Sequence, residues 1–127
     1  LQAKPKTPAD KKILKELKVV TKKTTKKIES YEFGPALHDL YEFFWHNFCD
    51  KYIESAKIQL ADKKRATNTR QILFYVLTES LKLLHPFMPF VTEEIWGYLP
   101  INPALSRKGG ARNKKLLLIE KWPKDFL

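Results

Sequence analysis

Residues 83–96 read LLHPFMPFVTEEIW, and this stretch decides the fold. Pro86 lacks an N–H and clashes with the preceding turn, so a helix that arrives through Leu84 has to stop or kink there. Pro89 stands where the first turn of a new helix tolerates proline, and Glu93 follows near the positive end of the new helix dipole. The stretch therefore predicts a corner between two helices, and its many apolar side chains predict that the corner is buried.

Outward from the corner, apolar residues recur at spacings of three and four along most of the chain. This spacing predicts four helices, the first capped by Thr7 or Asp10 and the others over about residues 35–60, 69–85 and 89–98. Four Gly among 127 residues also favour helices, because β-rich folds need Gly at their turns. The fold class we predict is all-α, an antiparallel bundle of about four helices with a short C-terminal extended segment.

Breaks in the pattern predict the connections. We expect Gly34 to end a turn and Pro35 to open the second helix. Residues 62–68 are predicted to form a polar connector, with Thr67 or Asn68 as the cap of the third helix.

The two ends of the chain lack a helical pattern. Residues 1–9 are rich in Lys and Pro and are expected to form a tail, and residues 100–115 read as a basic loop. Residues 116–123 are expected to form an extended segment docked on the bundle, its end held by Trp122. Residues 1–127 thus predict a single domain, and the absence of an initial Met suggests a fragment of a larger protein.

No apolar run approaches the roughly 20 residues of a membrane span, and no leader peptide is evident. We therefore expect a cytoplasmic protein without a membrane partner. Cys49 is the single cysteine and lies in an apolar pattern, which favours a buried structural thiol over a nucleophile.

The net charge is +10, from 24 basic and 14 acidic residues, and it is unevenly distributed. Residues 1–30 hold ten Lys against three acidic residues, whereas residues 31–61 hold five acidic residues against two Lys. Further basic clusters lie at residues 62–72 and 106–115. Such stripes attract a polyanion such as RNA, although a solvated Lys-rich face has the same composition.

No catalytic constellation can be assembled from the sequence. It lacks the glycine-rich phosphate loops, the C-x-x-C pair and the G-x-S-x-G elbow. His38, Glu42 and His46 have a spacing that is compatible with a metal, but no second cluster supports them and a polar helix face is the preferred interpretation. We expect no catalytic, cofactor-binding or metal-binding residue in this chain.

Three stretches together carry a family resemblance: residues 31–33 read YEF, residues 40–57 read LYEFFWHNFCDKYIESAK, and residues 84–96 belong to the corner. They resemble the anticodon-binding domain of class I aminoacyl-tRNA synthetases, over about residues 10–123. The F-C-D-x-Y-I-E run is most similar to the valyl-tRNA synthetases, whereas the corner is shared with the isoleucine and leucine enzymes. One departure is Lys51, where the family commonly has Trp.

The resemblance implies a parent enzyme that joins valine to its tRNA with ATP as a substrate. The catalytic domain would lie elsewhere in the same polypeptide, because the H-I-G-H and K-M-S-K-S motifs of the family are absent from this chain. The implied partner of the chain is tRNA, most directly valine tRNA. An isoleucine- or leucine-type synthetase and a helical protein-interaction module without RNA binding remain as alternatives.

By the same resemblance, the end of the second helix is where related synthetases contact the anticodon. An anticodon loop is read by stacking and base-edge hydrogen bonds, while cations hold the backbone. The tRNA-binding residues we expect are Lys57, Gln59, Lys63, Lys64, Arg65, Asn68 and Arg70. Secondary phosphate contacts are expected from Lys22, Lys23, Lys26 and Lys27. The large aromatic side chains are expected to pack in the core rather than to stack on bases.

Overall fold

The computed structural model describes residues 3–99, 122 and 123, and within them it is an all-helical bundle. Its elements are α1 (Pro8–Glu29), α2 (Phe33–Tyr41), a π-helical segment (Glu42–Tyr52), α3 (Ile53–Ala61), α4 (Lys63–Leu84) and α5 (Pro89–Tyr98). Because α2, the π-helical segment and α3 form one continuous helix, the described chain has four helices. The predicted all-α bundle is confirmed. The expected loop at 100–115 and most of the expected extended segment lie outside the described residues.

The helices run antiparallel around one core. The start of α1 contacts the end of the π-helical segment through Asp10 and Tyr52, and the end of α1 contacts α2 through Lys27 and Asp39. The main core consists of apolar side chains from every helix before the corner: Ile13, Leu17, Val20, Leu40, Phe43, Phe48, Tyr52, Ala56, Ile72, Val76, Leu83 and Leu84. The apolar face that the residue spacing predicts for α1 is confirmed, and its burial in this core stabilises the bundle.

The π-helical segment changes which aromatic residues face the core. Ile53 donates its backbone N–H to the carbonyl of Phe48, five residues back, whereas an α-helix uses four. The buried side chain that follows Phe43 is therefore Phe48, five positions on. Trp45 and Tyr41 are each 52% exposed. The expectation that the large aromatic side chains pack in the core was therefore wrong for these two residues, and for Trp45 the reason is that the expectation assumed α-helical spacing.

The turn between α1 and α2 is a Schellman motif centred on Tyr31. The backbone N–H of Tyr31 donates to the Ile28 carbonyl, and that of Glu32 donates to the Lys27 carbonyl. Tyr31 has φ 60, the left-handed conformation in which Gly is usual. The prediction that Gly34 ends the turn was wrong, since Gly34 lies inside α2.

The connection between α3 and α4 is a single residue, Asp62. Its carboxylate caps α4 by accepting a hydrogen bond from the Lys64 backbone N–H at 2.9 Å. The predicted connector over residues 62–68 was wrong, as were its proposed caps Thr67 and Asn68. Asp62 is an efficient N-cap, and once it starts the helix the polar residues that follow are simply its first turns.

The corner after α4 forms as the prolines predict, with Pro89 at the first position of α5. Thr92, which is 2% exposed, donates its hydroxyl to the Met88 carbonyl at 2.8 Å. The same hydroxyl oxygen lies 2.9 Å from His85 Nδ1, so this hydrogen bond joins the end of α4 to the first turn of α5. The corner is not buried as expected, since Phe90 is 90% exposed.

Trp122, which was expected to hold the end of the C-terminal segment, contacts α1. The indole Nε1–H of Trp122 donates to Thr25 Oγ1 at 2.9 Å, and the ring packs against the main core. Pro123 is buried next to it. This contact places Trp122 against the C-terminal part of the first helix.

We expect Tyr31→Gly to raise the free energy of unfolding by about 1 kcal/mol, because Gly adopts the left-handed conformation without the steric cost of a Cβ. Urea unfolding followed by circular dichroism measures the change. Tyr31→Ala is the control, since it removes the ring but keeps the Cβ. Equal stabilisation by Ala would assign the effect to the exposed ring instead of the backbone.

We expect Tyr52→Phe to lower the free energy of unfolding at pH 7 by about 2 kcal/mol, because it removes a buried hydrogen bond to a charged group. The phenol of Tyr52 donates to Asp10 Oδ1 at 2.9 Å. Tyr41→Phe is the control, because Tyr41 is half exposed and has no such bond.

The same pair of variants tests a pH dependence. Burial raises the pKa of the Tyr52 phenol, and the Asp10 carboxylate raises that pKa further. The unfolded chain loses this proton near pH 10 while the folded chain retains it, so stability falls as the pH rises above about 10. The stability difference between the native protein and Tyr52→Phe should therefore shrink between pH 9 and about pH 11. A constant difference would contradict this coupling.

Candidate nucleic-acid interface

Three consecutive exposed cations lie at the start of α4. Lys63, Lys64 and Arg65 occupy its first turn and are all exposed. Arg65 Nε lies 3.4 Å from an Asp62 carboxylate oxygen, whereas the ion pairs of the described residues include neither Lys63 nor Lys64. Cations at the positive end of a helix dipole are unfavourable by a few tenths of a kcal/mol, so a bound anion would be favoured there.

Two more of the expected residues lie on α3, and the structure separates their roles. Lys57 is exposed and its ammonium lies 2.6 Å from Glu54 Oε1 on the same face. Gln59 is only 7% exposed; its amide N–H donates to Thr7 Oγ1 and its amide oxygen accepts from Thr69 Oγ1, both at 2.9 Å. The expectation that Gln59 reaches a base edge is wrong in this structure, because both ends of its amide are engaged inside the bundle.

Asn68 and Arg70 lie further along α4. Arg70 is exposed, whereas the Asn68 side-chain amide donates to the backbone carbonyl of Lys4 at 2.9 Å. Residues 3–7 therefore pack beside the start of α4, and Ala3 is 6% exposed. The sequence predicted a tail over residues 1–9, and for its described part this was wrong.

This packing brings Lys4 and Lys6, both exposed, to the end of the bundle that carries the α4 cations. Sequence reasoning missed them because no periodicity marks residues 3–7. The one available signal was Thr7 followed three residues later by Asp10, which resembles a capping box and fixes where the segment enters α1.

The secondary lysines lie at the other end of α1. Lys22, Lys23 and Lys26 are exposed, but Lys27 is half-buried and its Nζ lies 2.6 Å from Asp39 Oδ2. At 1.5 Å per residue, Lys26 lies about 27 Å along the helix axis from Pro8. The structure therefore does not bring these lysines together with the α4 cations, and Lys27 is engaged in an ion pair between α1 and α2.

A second surface, at the corner end of the bundle, is apolar. It is a groove of about 670 Å³ between the continuous helix of residues 33–61 and the α4–α5 corner. Its described lining includes Leu37, Tyr41, Trp45, Val91 and Ile95, all partly exposed. The described lining residues include no Lys, Arg, Asp or Glu, and His38 is their one imidazole.

His46 and Cys49 are the remaining side chains of the second helix that could take part in chemistry. His46 Nδ1 lies 3.3 Å from Asp50 Oδ2, and its Nε2 lies 3.9 Å from Glu42 Oε1. Burial raises the pKa of the Cys49 thiol, and Asp50 raises it further, which disfavours the nucleophilic thiolate. Over residues 3–99, no three His, Cys, Asp or Glu side chains form a set of potential metal ligands.

None of the helices in the described part of the chain combines the length and the apolar composition that crossing a membrane requires.

The chain is similar to known proteins over most of its length. Residues 10–127 match the family model of the anticodon-binding domain of tRNA ligase. The chain is 50% identical over 97 residues to a valine–tRNA ligase of Bacillus thuringiensis subsp. konkukian, an alignment that covers 75% of this chain and 11% of the relative. It is 51% identical over 94 residues to the valine–tRNA ligase of Pseudothermotoga lettingae, which covers 74% of this chain and 11% of that protein.

A longer alignment, over 128 residues, joins the chain to the valine–tRNA ligase of Geobacillus kaustophilus at 43% identity and covers 89% of this chain. The chain thus spans only 11% to 14% of the length of these curated relatives.

Proposed function

Since this chain belongs to the family of anticodon-binding domains of tRNA ligases, which confirms the resemblance in its sequence, we propose that it binds the anticodon arm of a valine tRNA. The three relatives named above are all valine–tRNA ligases, which favours valine over the isoleucine and leucine alternatives. The protein that carries this chain would be a cytoplasmic ligase that uses ATP to join valine to its tRNA. The chain itself would hold the tRNA while a catalytic domain of the same polypeptide performs the reaction.

The observation that carries this proposal is the position of the cations at the α3–α4 end. Lys63 and Lys64 extend from the first turn of α4 without a carboxylate partner among the described residues, and they lie at the positive end of the helix dipole. This arrangement opposes stability locally and suits a phosphate backbone. Arg65, Arg70 and Lys57 are proposed to complete the contact surface, whereas the amide of Asn68 is engaged with the Lys4 carbonyl.

The α1 lysines are proposed as a separate, secondary contact. Lys22, Lys23 and Lys26 are exposed near the end of α1, where they would attract a phosphate backbone independently of the α4 cations. Lys27 is left out because its ammonium is already paired with Asp39.

We expect Lys63→Ala/Lys64→Ala to weaken binding to the anticodon stem-loop of valine tRNA and to lower the slope of log K against log salt by about 1.4, or about 0.7 per cation. Fluorescence anisotropy across a salt series measures both quantities. The melting temperature should not fall, because these lysines oppose the helix dipole.

The matched control is Lys15→Ala/Lys18→Ala, which removes two exposed lysines from the middle of α1. An equal change of slope in the control would show that the RNA responds only to net charge, and the proposed contact end would be wrong. A hairpin with the same stem and a scrambled loop tests valine specificity, which is refuted for this chain if both hairpins bind equally.

A second partner is proposed for the apolar groove, namely the catalytic domain of the same polypeptide. Trp45, Val91 and Ile95 expose apolar surface that a soluble domain does not usually leave uncovered. The groove lacks cations among its described lining residues, which disfavours RNA as its occupant. The relatives are much longer than this chain, so they contain further residues that could cover the groove.

We expect Val91→Ser/Ile95→Ser to lower the thermal stability and the aminoacylation rate of the full-length ligase while the isolated chain keeps its melting temperature within about 2 °C. Val91 is 57% and Ile95 is 39% exposed, and substitutions of exposed side chains usually change stability by less than about 0.5 kcal/mol.

Ile58→Ser is the control, because Ile58 is 78% exposed and lies on α3, away from the groove. The docking of a second domain would be contradicted if the stability and aminoacylation rate of the full-length ligase did not change. It would also be contradicted if the isolated chain lost as much stability as the full-length ligase.

A further inference from the structure

Residues 3–7 have a defined structure that the family match does not cover. The match begins at Asp10, and the sequence of this segment has no periodicity. Ala3 is nevertheless 6% exposed, and the segment crosses from the start of α1 to the side of α4. A short polar segment without a hydrophobic core of its own needs specific contacts to remain ordered, because each fixed residue costs about 1–2 kcal/mol of backbone entropy.

Those contacts begin at the carboxylate of Asp10. Its Oδ2 accepts hydrogen bonds from the backbone N–H groups of Lys6 and Thr7 at 3.1 and 3.2 Å. Asp10 is 1% exposed, and its other oxygen accepts from Tyr52. The buried carboxylate is thus satisfied by the segment on one side and by the π-helical segment on the other.

A second set of contacts joins the segment to α3 and α4. Thr7 Oγ1 accepts a hydrogen bond from the Gln59 amide, whose oxygen accepts in turn from Thr69. Asn68 donates to the Lys4 carbonyl at 2.9 Å. This last bond lies three residues before the cap of α1, so capping that helix does not require it.

The Asn68 bond determines which cations become neighbours. On an α-helix, residues three and four apart lie about 5–6 Å apart at Cβ, so Asn68 shares a face with Lys64 and Arg65. The Lys4 backbone therefore lies beside the α4 cations, and the side chains of Lys4 and Lys6 are exposed. Bringing like charges together opposes folding unless an anion binds between them.

We infer that residues 3–7 form a strap that adds Lys4 and Lys6 to the RNA-binding end of the bundle as two further phosphate contacts. This inference rests on the proposed function, and it extends the binding surface to residues that precede the family domain. Asn68 acts in it as a positioning residue that holds the strap on α4. Gln59 and Asp10 keep the base of the strap inside the bundle.

Anisotropy measurements with the valine anticodon stem-loop across a salt series test the strap with four proteins. These are Lys4→Ala/Lys6→Ala, Asn68→Ala, the combined triple variant, and the charge-matched control Lys15→Ala/Lys18→Ala. We expect the Lys4/Lys6 variant to lower the salt slope by about 1.4 and the control to leave it unchanged. Asn68→Ala should reduce the slope as well, although it removes no charge, because the lysines lose their fixed position.

The triple variant separates positioning from direct contact. If Asn68 acts through the strap, adding Asn68→Ala to the Lys4/Lys6 variant changes nothing further. An additional loss in that background would show that Asn68 contacts the RNA itself, and its positioning role would be overturned. If Lys4→Ala/Lys6→Ala reduces the salt slope and Asn68→Ala leaves it unchanged, the lysines act without being held on α4. That result would overturn the strap.

The failure of the strap is distinguishable from the failure of the proposed function. If Lys63→Ala/Lys64→Ala weakens binding and Lys4→Ala/Lys6→Ala does not, the RNA-binding end stands and the strap is wrong. If neither pair changes the salt slope, the proposed function itself is wrong. Circular dichroism of every variant confirms that the bundle is folded, and none of these substitutions removes a core side chain.

Discussion

The carboxylate of Asp10 is the contact on which this end of the bundle depends. A buried charge is costly unless its hydrogen-bonding capacity is satisfied, and Asp10 is satisfied by two backbone amides and the phenol of Tyr52. The two amides precede α1, and the phenol belongs to the π-helical segment. The carboxylate therefore fixes the position of the segment before α1 relative to the π-helical segment. Hydrogen bonds from Gln59 and Thr69 continue this connection from Thr7 to α4. The network therefore sets the relative positions of the strap, α3 and α4.

Two surfaces of the bundle have opposite chemistry. Exposed cations lie at the α3–α4 end, whereas the groove at the corner end is apolar and its described lining lacks lysine and arginine. Such a division suits a domain that contacts a polyanion at one end and protein at the other, since each partner meets the surface it can desolvate at least cost. This separation also explains how a protein with a net charge of +10 can have a surface that does not bind RNA.

Local features were predictable from the sequence because they depend on neighbouring residues. The apolar face of α1, the helix break at Pro86 and the start of α5 at Pro89 follow from periodicity and proline geometry, and the structure confirms them. The roles of Gln59 and Lys4 were not predictable, since their hydrogen-bond partners lie 52 and 64 residues away in the sequence. Nothing local distinguishes a buried Gln from one that is free to read a base.

The candidate site was predictable to a similar extent. Lys63, Lys64 and Arg65 were identified from their charge, although their assignment to a connector missed the cap that Asp62 provides. The exposure of Trp45 was missed for a different reason, because residue composition does not indicate where a helix changes from α to π winding. The expected burial of the corner failed because apolar residues predict burial only when a partner surface is present, and the described part of the chain offers none to Phe90.

The π-helical segment has a consequence for how this chain can vary in length. The buried residues Phe43 and Phe48 are five positions apart, whereas side chains on the same face of an α-helix are four positions apart. The segment therefore contains one extra residue between these two core positions. Deleting Trp45 or His46, both exposed, would reduce that spacing to four and let regular α-helix join the same two core positions. The wide turn is therefore a place where one residue can be lost without shifting the rest of the helix relative to the core, whereas a deletion in the α-helical parts would rotate every later side chain by about 100°.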